Sequence, residues 1–132
     1  MTTLAKAQEF VGLPYVAGEF DCADLAVRVQ RVLFCKDITL PAHEQGRAGQ
    51  VQQIESLRYD KAEAIANPEN GCGVLLARAD AQGLVWHIGT VFLEGGEAWV
   101  LHNSQHLKSA ALQRLGHLKR SGFTVEGFYK WK

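Results

Sequence analysis

The stretch "LVWHIGTVFLEGGEAWVLHNS", residues 84–104, decides how this chain folds. Branched and aromatic residues fill both ends, and Glu94-Gly95-Gly96-Glu97 sits between them. Two glycines between two such runs mark a two-residue hairpin turn, whose central positions need positive φ. With Gly95 and Gly96 as the turn, Phe92 faces Trp99, Val91 faces Val100 and Gly89 faces His102. Strand side chains alternate, so His87 shares a face with Gly89. His87 and His102 are then diagonal neighbours, roughly 7–8 Å apart along the backbone and within side-chain reach. The glycine between them leaves room for one imidazole to lean over the other. A three-residue turn would shift the register and present Asn103 instead.

Further strands follow from the same period. "GVLLARA" (Gly73 to Ala79) is a short apolar run, "DAQG" (Asp80 to Gly83) a turn, and "FTVEGFYKW" (Phe123 to Trp131) a closing strand. Lys108 to Lys119 is expected as a helix with Leu112, Leu115 and Leu118 inward. Upstream the period is helical. Thr2 or Thr3 caps a first helix to about Val11, ended by "GLPY" (Gly12 to Tyr15). Asp21 caps a second helix ending near Cys35, with Cys22, Leu25, Ala26, Val29 and Leu33 on one face. "DITLPAHEQG" (Asp37 to Gly46) reads as a loop and Arg47 to Asn67 as weaker helix. Asp60 and Glu63 have capping-box spacing for a short helix ending at "NPENG". The order, helices first and then an antiparallel sheet with one late helix, is α+β.

Length and charge bound the function. A chain of 132 residues is expected to form a single domain, residues 1–132. Fourteen basic residues balance fourteen acidic ones, which leaves no broad basic field for nucleic acid or an anionic membrane. "MTTLAKAQEFVG" carries neither a signal peptide nor a membrane span, so synthesis in a cytoplasm without a secretion signal is expected. The three cysteines, Cys22, Cys35 and Cys72, form no CxxC pair, which favours free thiols over a disulfide scaffold or a structural zinc site.

Cys22 stands apart from the other two. It opens an amphipathic helix, where unpaired N–H groups and the positive end of the helix dipole favour a thiolate. The same N–H groups can hold an oxyanion during acyl transfer. Asp21 opposes thiolate formation by its charge unless capping occupies its side chain. A thiol nucleophile needs a base held by a third polar group, and His87 backed by His102 fits that need, with Asn103 as the fallback orienter. A core cysteine on an amphipathic helix, and a satisfied core histidine on an apolar strand, are the plainer readings of Cys22 and His87. Cys35 and Cys72 read as structural, and His43, His106 and His117 as solvated surface groups. A metal site built from Cys22, His87 and His102 is the weaker alternative, with three ligands and no spacing signature.

"GLPYVAG" (Gly12 to Gly18), "DCADL" (Asp21 to Leu25), "HIGTVFLEGG" (His87 to Gly96) and "WVLHNS" (Trp99 to Ser104), in this order, resemble the NlpC/P60 superfamily of papain-like cysteine peptidases. With "EGFYKW" (Glu126 to Trp131) at the end, the chain resembles the small phage and prophage tail-assembly members. The resemblance implies a papain-like fold with N-terminal helices packed on a C-terminal sheet. It implies Cys22 as nucleophile, His87 as general base, His102 as the group that orients it, and Tyr15 beside the oxyanion site. It implies hydrolysis of an amide bond in peptidoglycan stem peptides, often after γ-D-glutamate, without a cofactor. Other phage tail proteins would be partners in that setting. The chain departs from the family pattern where Glu19 follows Gly18 directly. Ala23 and Asp24 replace a serine and a glycine beside the cleft, where Asp24 would meet substrate. Cys72-Gly73 replaces a "GD" before the first strand. A structural tail component of little activity, and an amidase effector of a secretion system, are the competing expectations.

Overall fold

The computed structural model describes residues 2–17, 19–39, 62–81 and 83–132. Helix α1 (Thr3–Ala7) continues as a 3₁₀ turn (Gln8–Phe10), and helix α2 spans Cys22–Phe34. Strands β1 (Ala62–Ile65), β2 (Gly73–Asp80), β3 (Gly83–Glu94), β4 (Glu97–Asn103), β5 (Ala110–Arg114) and β6 (Phe123–Trp131) follow. A 3₁₀ segment, Leu115–Ser121, joins the last two. The strands form one antiparallel sheet in the order β1-β6-β2-β3-β4-β5. The arrangement is α+β. No helix among the described residues is long and apolar enough to cross a membrane.

The β3–β4 hairpin has the expected register, with Phe92 opposite Trp99 and Gly89 opposite His102. Gly95 and Gly96 both take positive φ, +60° and +79°, as a tight turn between right-twisted strands requires. Both faces of the central strands are covered, which is why "GVLLARA" is apolar without alternation. On one face Leu25 and Val29 of α2 meet Phe92 and Leu101, and Ala26 meets Leu75 and Ile88. On the other, Val74, Leu76, Val91, Val100 and Phe123 pack beneath Leu118 of the 3₁₀ segment. A fully buried aliphatic or aromatic side chain contributes about 1.5–3 kcal/mol, so these two layers carry the fold.

The start of α2 is fixed by a capping box. Asp21 Oδ1 accepts from the backbone N–H of Ala23 at 3.0 Å and of Asp24 at 3.2 Å, while Asp24 Oδ2 accepts from the N–H of Asp21 at 2.9 Å. Cys35 ends the helix in the left-handed region, φ 53°. Thr2 caps α1 through its hydroxyl.

Two stretches expected to be helical are strands among the described residues. Residues 110–114 form β5, paired along β4 with His102 opposite Ala111. Lys108 takes φ +66°, which no helix can continue through, and the open edge of β4 captures the segment despite its helical composition. Leu118 is inward as expected, but on a 3₁₀ turn. Ala62–Ile65 is likewise a strand, with Ala62 opposite Trp131 and buried against it, so pairing with β6 overrides the capping-box spacing. The remainder of that expected helix, most of the expected loop before it, and His43 lie outside the described residues.

Candidate active site

Cys22, Tyr15 and His87 line one cavity of about 80 Å³, together with Arg78, Trp86, Ser104, His106 and Phe123. Each arrives from a different element. Cys22 is the first residue of α2, and His87 stands on β3 opposite Leu76 of β2. Tyr15 sits in the loop between the helices, held where its N–H donates to the carbonyl of Lys108 at 3.0 Å.

The imidazole half of the site is built from a line of side-chain hydrogen bonds that runs from a buried His–His contact to half-buried groups. His87 Nε2 and His102 Nδ1 are 2.7 Å apart, and His102 Nε2 is 2.7 Å from Gln113 Oε1. Gln113 Nε2 donates to Ser121 Oγ at 3.0 Å. With its amide nitrogen on Ser121, Gln113 assigns the tautomers along the line. His102 Nε2 donates to Gln113, His102 Nδ1 accepts, and His87 Nε2 donates to it. That leaves a lone pair on His87 Nδ1, the form a general base needs. Gly89 makes the approach of the two rings feasible. A Cβ there would stand 2.6 Å from Val100 Cγ1 and 3.3 Å from His102 Cβ. Phe123 closes the line, stacked on His87 with ring centres 5.3 Å apart.

Burial holds both rings neutral. It pushes the His87 pKa well below the ordinary value, and the neighbouring His102 lowers it further. Burial also lowers His102, with Gln113 pulling the other way. The two nitrogens that face each other bond to one another and do not converge on a third point, which disfavours the three-ligand metal reading.

The thiol half is held by packing. Cys22 is half-buried and packs with Ala26 against the Leu75–Ile88 side of the sheet, whereas His87 stands on the Leu76 side. Among the described residues no hydrogen bond joins the sulfur to the imidazole. The Cys22 pKa is pushed up to about 12, first by burial and then by the charge of Asp21, against hydrogen bonds from the backbone of Ile88 and Ala23. Capping therefore does not remove the influence of Asp21, and the helix dipole does not prevail at this thiol. At rest the cavity is therefore lined by a neutral thiol and a neutral imidazole that are not hydrogen-bonded to each other. Tyr15 is also pushed up to about 12, first by burial and then by nearby acidic charge such as that of Asp21, so its hydroxyl stays a donor.

The other candidates are distributed as follows. Asp24 is committed to the capping box and is not in the cavity lining. Asn103 does not orient His87. Its Nδ2 donates to the carbonyl of Phe20 at 3.2 Å and so anchors the loop just before Cys22, while its buried Oδ1 has no partner. His106, expected as a solvated surface group, is exposed yet lines the cavity, its ring edge-on to Phe123 at 6.5 Å. His117 is half-buried in the 3₁₀ segment. Cys72 is buried, accepting from the N–H of Glu69, and Cys35 is exposed. Sequence reasoning missed Gln113 and Arg78. Gln113 lies in a stretch whose spacing predicts a helix, and only its placement two residues beyond Ala111, the partner of His102, points to it. Arg78 interrupts an apolar strand, the same signal that singled out His87.

Comparison with protein-family models, with curated proteins and with solved structures found no match.

Proposed function

We propose that the protein is a papain-like cysteine peptidase or amidase that hydrolyses an amide bond in peptidoglycan stem peptides, in the setting of a phage or prophage tail. One observation carries the chemical part of this reading. A cysteine at a capped helix start and an imidazole oriented by a hydrogen-bonded line share a single cavity. The substrate and the tail setting rest on the motif resemblance.

The neutral resting pair favours a general-base route over a preformed ion pair. As the Cys22 sulfur bonds to the amide carbonyl carbon, its proton passes to His87 Nδ1 and the carbonyl oxygen takes the negative charge. The Cys22 backbone N–H, at the positive end of α2, and the Tyr15 hydroxyl are the donors available to that oxyanion. Collapse of the intermediate breaks the carbon–nitrogen bond, and His87 gives its proton to the leaving amine. Water then attacks the thioester with His87 again taking a proton, and the acid and the thiol are released. His102, held by Gln113, keeps the same His87 nitrogen directed at the reaction throughout.

Purified protein incubated with stem-peptide fragments, with products identified by mass, tests the reading. It requires one amide cleavage by the wild type and none by Cys22→Ala. Cleavage by Cys22→Ala would refute it. A second reading, a tail component with little or no activity, is favoured by the raised Cys22 pKa and by the missing sulfur–imidazole hydrogen bond. It requires no cleavage by either protein.

A further inference from the structure

Strand β4 ends on two adjacent polar residues, His102 and Asn103, that are both fully buried. Strand side chains alternate, so the two point to opposite faces of the sheet. His102 meets His87 on one face. Asn103 shares the other with Leu101, which packs in one cluster with Phe20 and with Leu25 and Val29 of α2. There Asn103 Nδ2 donates to the Phe20 carbonyl at 3.2 Å. The same carbonyl accepts from the Val16 N–H at 3.0 Å, and the Phe20 N–H donates to the Val16 carbonyl at 2.7 Å. These bonds close a loop that has Tyr15 at one flank and Asp21 and Cys22 at the other. Arg28 of α2 lies over the Phe20 ring, 4.5 Å from its centre. The Tyr15 flank is tied to the same strand exit, because its N–H donates to the Lys108 carbonyl and the Lys108 N–H donates to that of Ser104 at 2.8 Å.

Asparagine is a costly residue at this position if packing is its whole role. Its Oδ1 is buried and unpartnered among the described residues, and an apolar side chain of similar size would leave no orphaned oxygen. What asparagine adds is the donor to Phe20. We propose that Asn103 is a positioning residue for the nucleophile, acting through the Phe20 carbonyl to fix the loop that carries Tyr15 and Cys22. Neighbouring residues of one strand then set both halves of the site, His102 the imidazole and Asn103 the sulfur. Sulfur and imidazole reach the cavity from different elements, and their common tie to β4 helps fix their separation. A misplacement of about 1 Å can cost on the order of 10²-fold in rate. This inference rests on the reading of Cys22 as the nucleophile.

The test uses Asn103→Ala and Asn103→Ser, which both remove the tie. Three quantities are measured: kcat and KM on stem peptides, the rate at which a small alkylating reagent modifies each cysteine, and the nitrogen resonances of His87. In both variants kcat is expected to fall about ten- to a hundredfold with KM held within about threefold. Cys22 is expected to be alkylated about tenfold faster, because a loosened loop opens the thiol to solvent. Buried Cys72 keeps its wild-type rate, and the His87 nitrogens keep their tautomer. Cys72 is the control on folding, since general loosening raises both rates together. Equal rises at Cys22 and Cys72, a wild-type rate at Cys22, or a changed His87 tautomer with Cys22 unaffected would overturn the positioning role. Asn103→Ser, which keeps a polar group at the buried position, keeps the test decisive where Asn103→Ala fails to fold. Variants that cut stem peptides as fast as the wild type overturn the positioning role and leave the hydrolase reading standing. A gain in alkylation confined to Cys22, in a protein that cuts nothing, supports the tie and removes the hydrolase reading.

Discussion

The two halves of the candidate site are built in opposite ways. The His87 side is a line of hydrogen bonds, His87 to His102 to Gln113 to Ser121, each at 3.0 Å or less. The Cys22 side is a capped helix start whose thiol meets apolar neighbours and an adjacent acidic charge. One half is preorganised in tautomer and direction before any substrate arrives. The other keeps its proton at rest, and under the proposed mechanism only bound substrate brings sulfur and imidazole into play. A low-reactivity resting thiol also resists oxidation, whose rate follows thiolate character.

The sharpest break in that comparison is removal of either reacting group. Cys22→Ala and His87→Ala are each expected to lower kcat on the order of 10⁶-fold, because residues that act as a unit fail together. A steady-state assay on stem peptides measures it, and a loss at one position only would separate the two halves. Next comes His102→Ala, expected to cost about 10²-fold in kcat. It leaves His87 Nε2 buried without a partner, so denaturant unfolding should also show a loss of about 1–3 kcal/mol.

Gly89→Ala probes the same half by shape alone. The added methyl meets Val100 2.6 Å away, and an expected loss of about 1–3 kcal/mol is measurable by denaturant titration. pH separates the halves by sign. The neutral forms of His87 and His102 stabilise the fold fully above the ordinary histidine value of 6.5, and that contribution is lost as pH falls below it. The Cys22 contribution is full below 9 and is lost as pH rises from there toward about 12. Unfolding free energy should therefore be flat between these limits and fall on both sides. Cys22→Ala should remove part of the alkaline loss and leave the acid side unchanged. The smallest effect is expected for Gln113→Ala, about 1 kcal/mol and a severalfold fall in kcat, through the lost acceptor on His102.

The halves were also unequally legible in the sequence. Hairpin register follows from two glycines and strict alternation, so the meeting of His87 with His102 could be read from residues 84–104 alone. The capped start at Cys22 was equally local, since Asp21 and Asp24 lie within one turn. What escaped was set by distant partners. Residues 110–114 and 62–65 have helical composition and became strands because open sheet edges were there to receive them, and Gln113 was hidden by that misreading. The thiol's resting state escaped as well. A helix N-terminus argues for a thiolate, but the packing of Ile88 and Leu75 around the helix start has no local signature.

The most direct measurement is the mass of acid-quenched protein taken during turnover of a stem peptide. The account predicts an adduct of the acyl fragment on Cys22 in the wild type, discharged by hydroxylamine as a thioester is, and no adduct in His87→Ala. Product formation without any Cys22 adduct under conditions that slow its hydrolysis, or an adduct that forms equally well without His87, would contradict it.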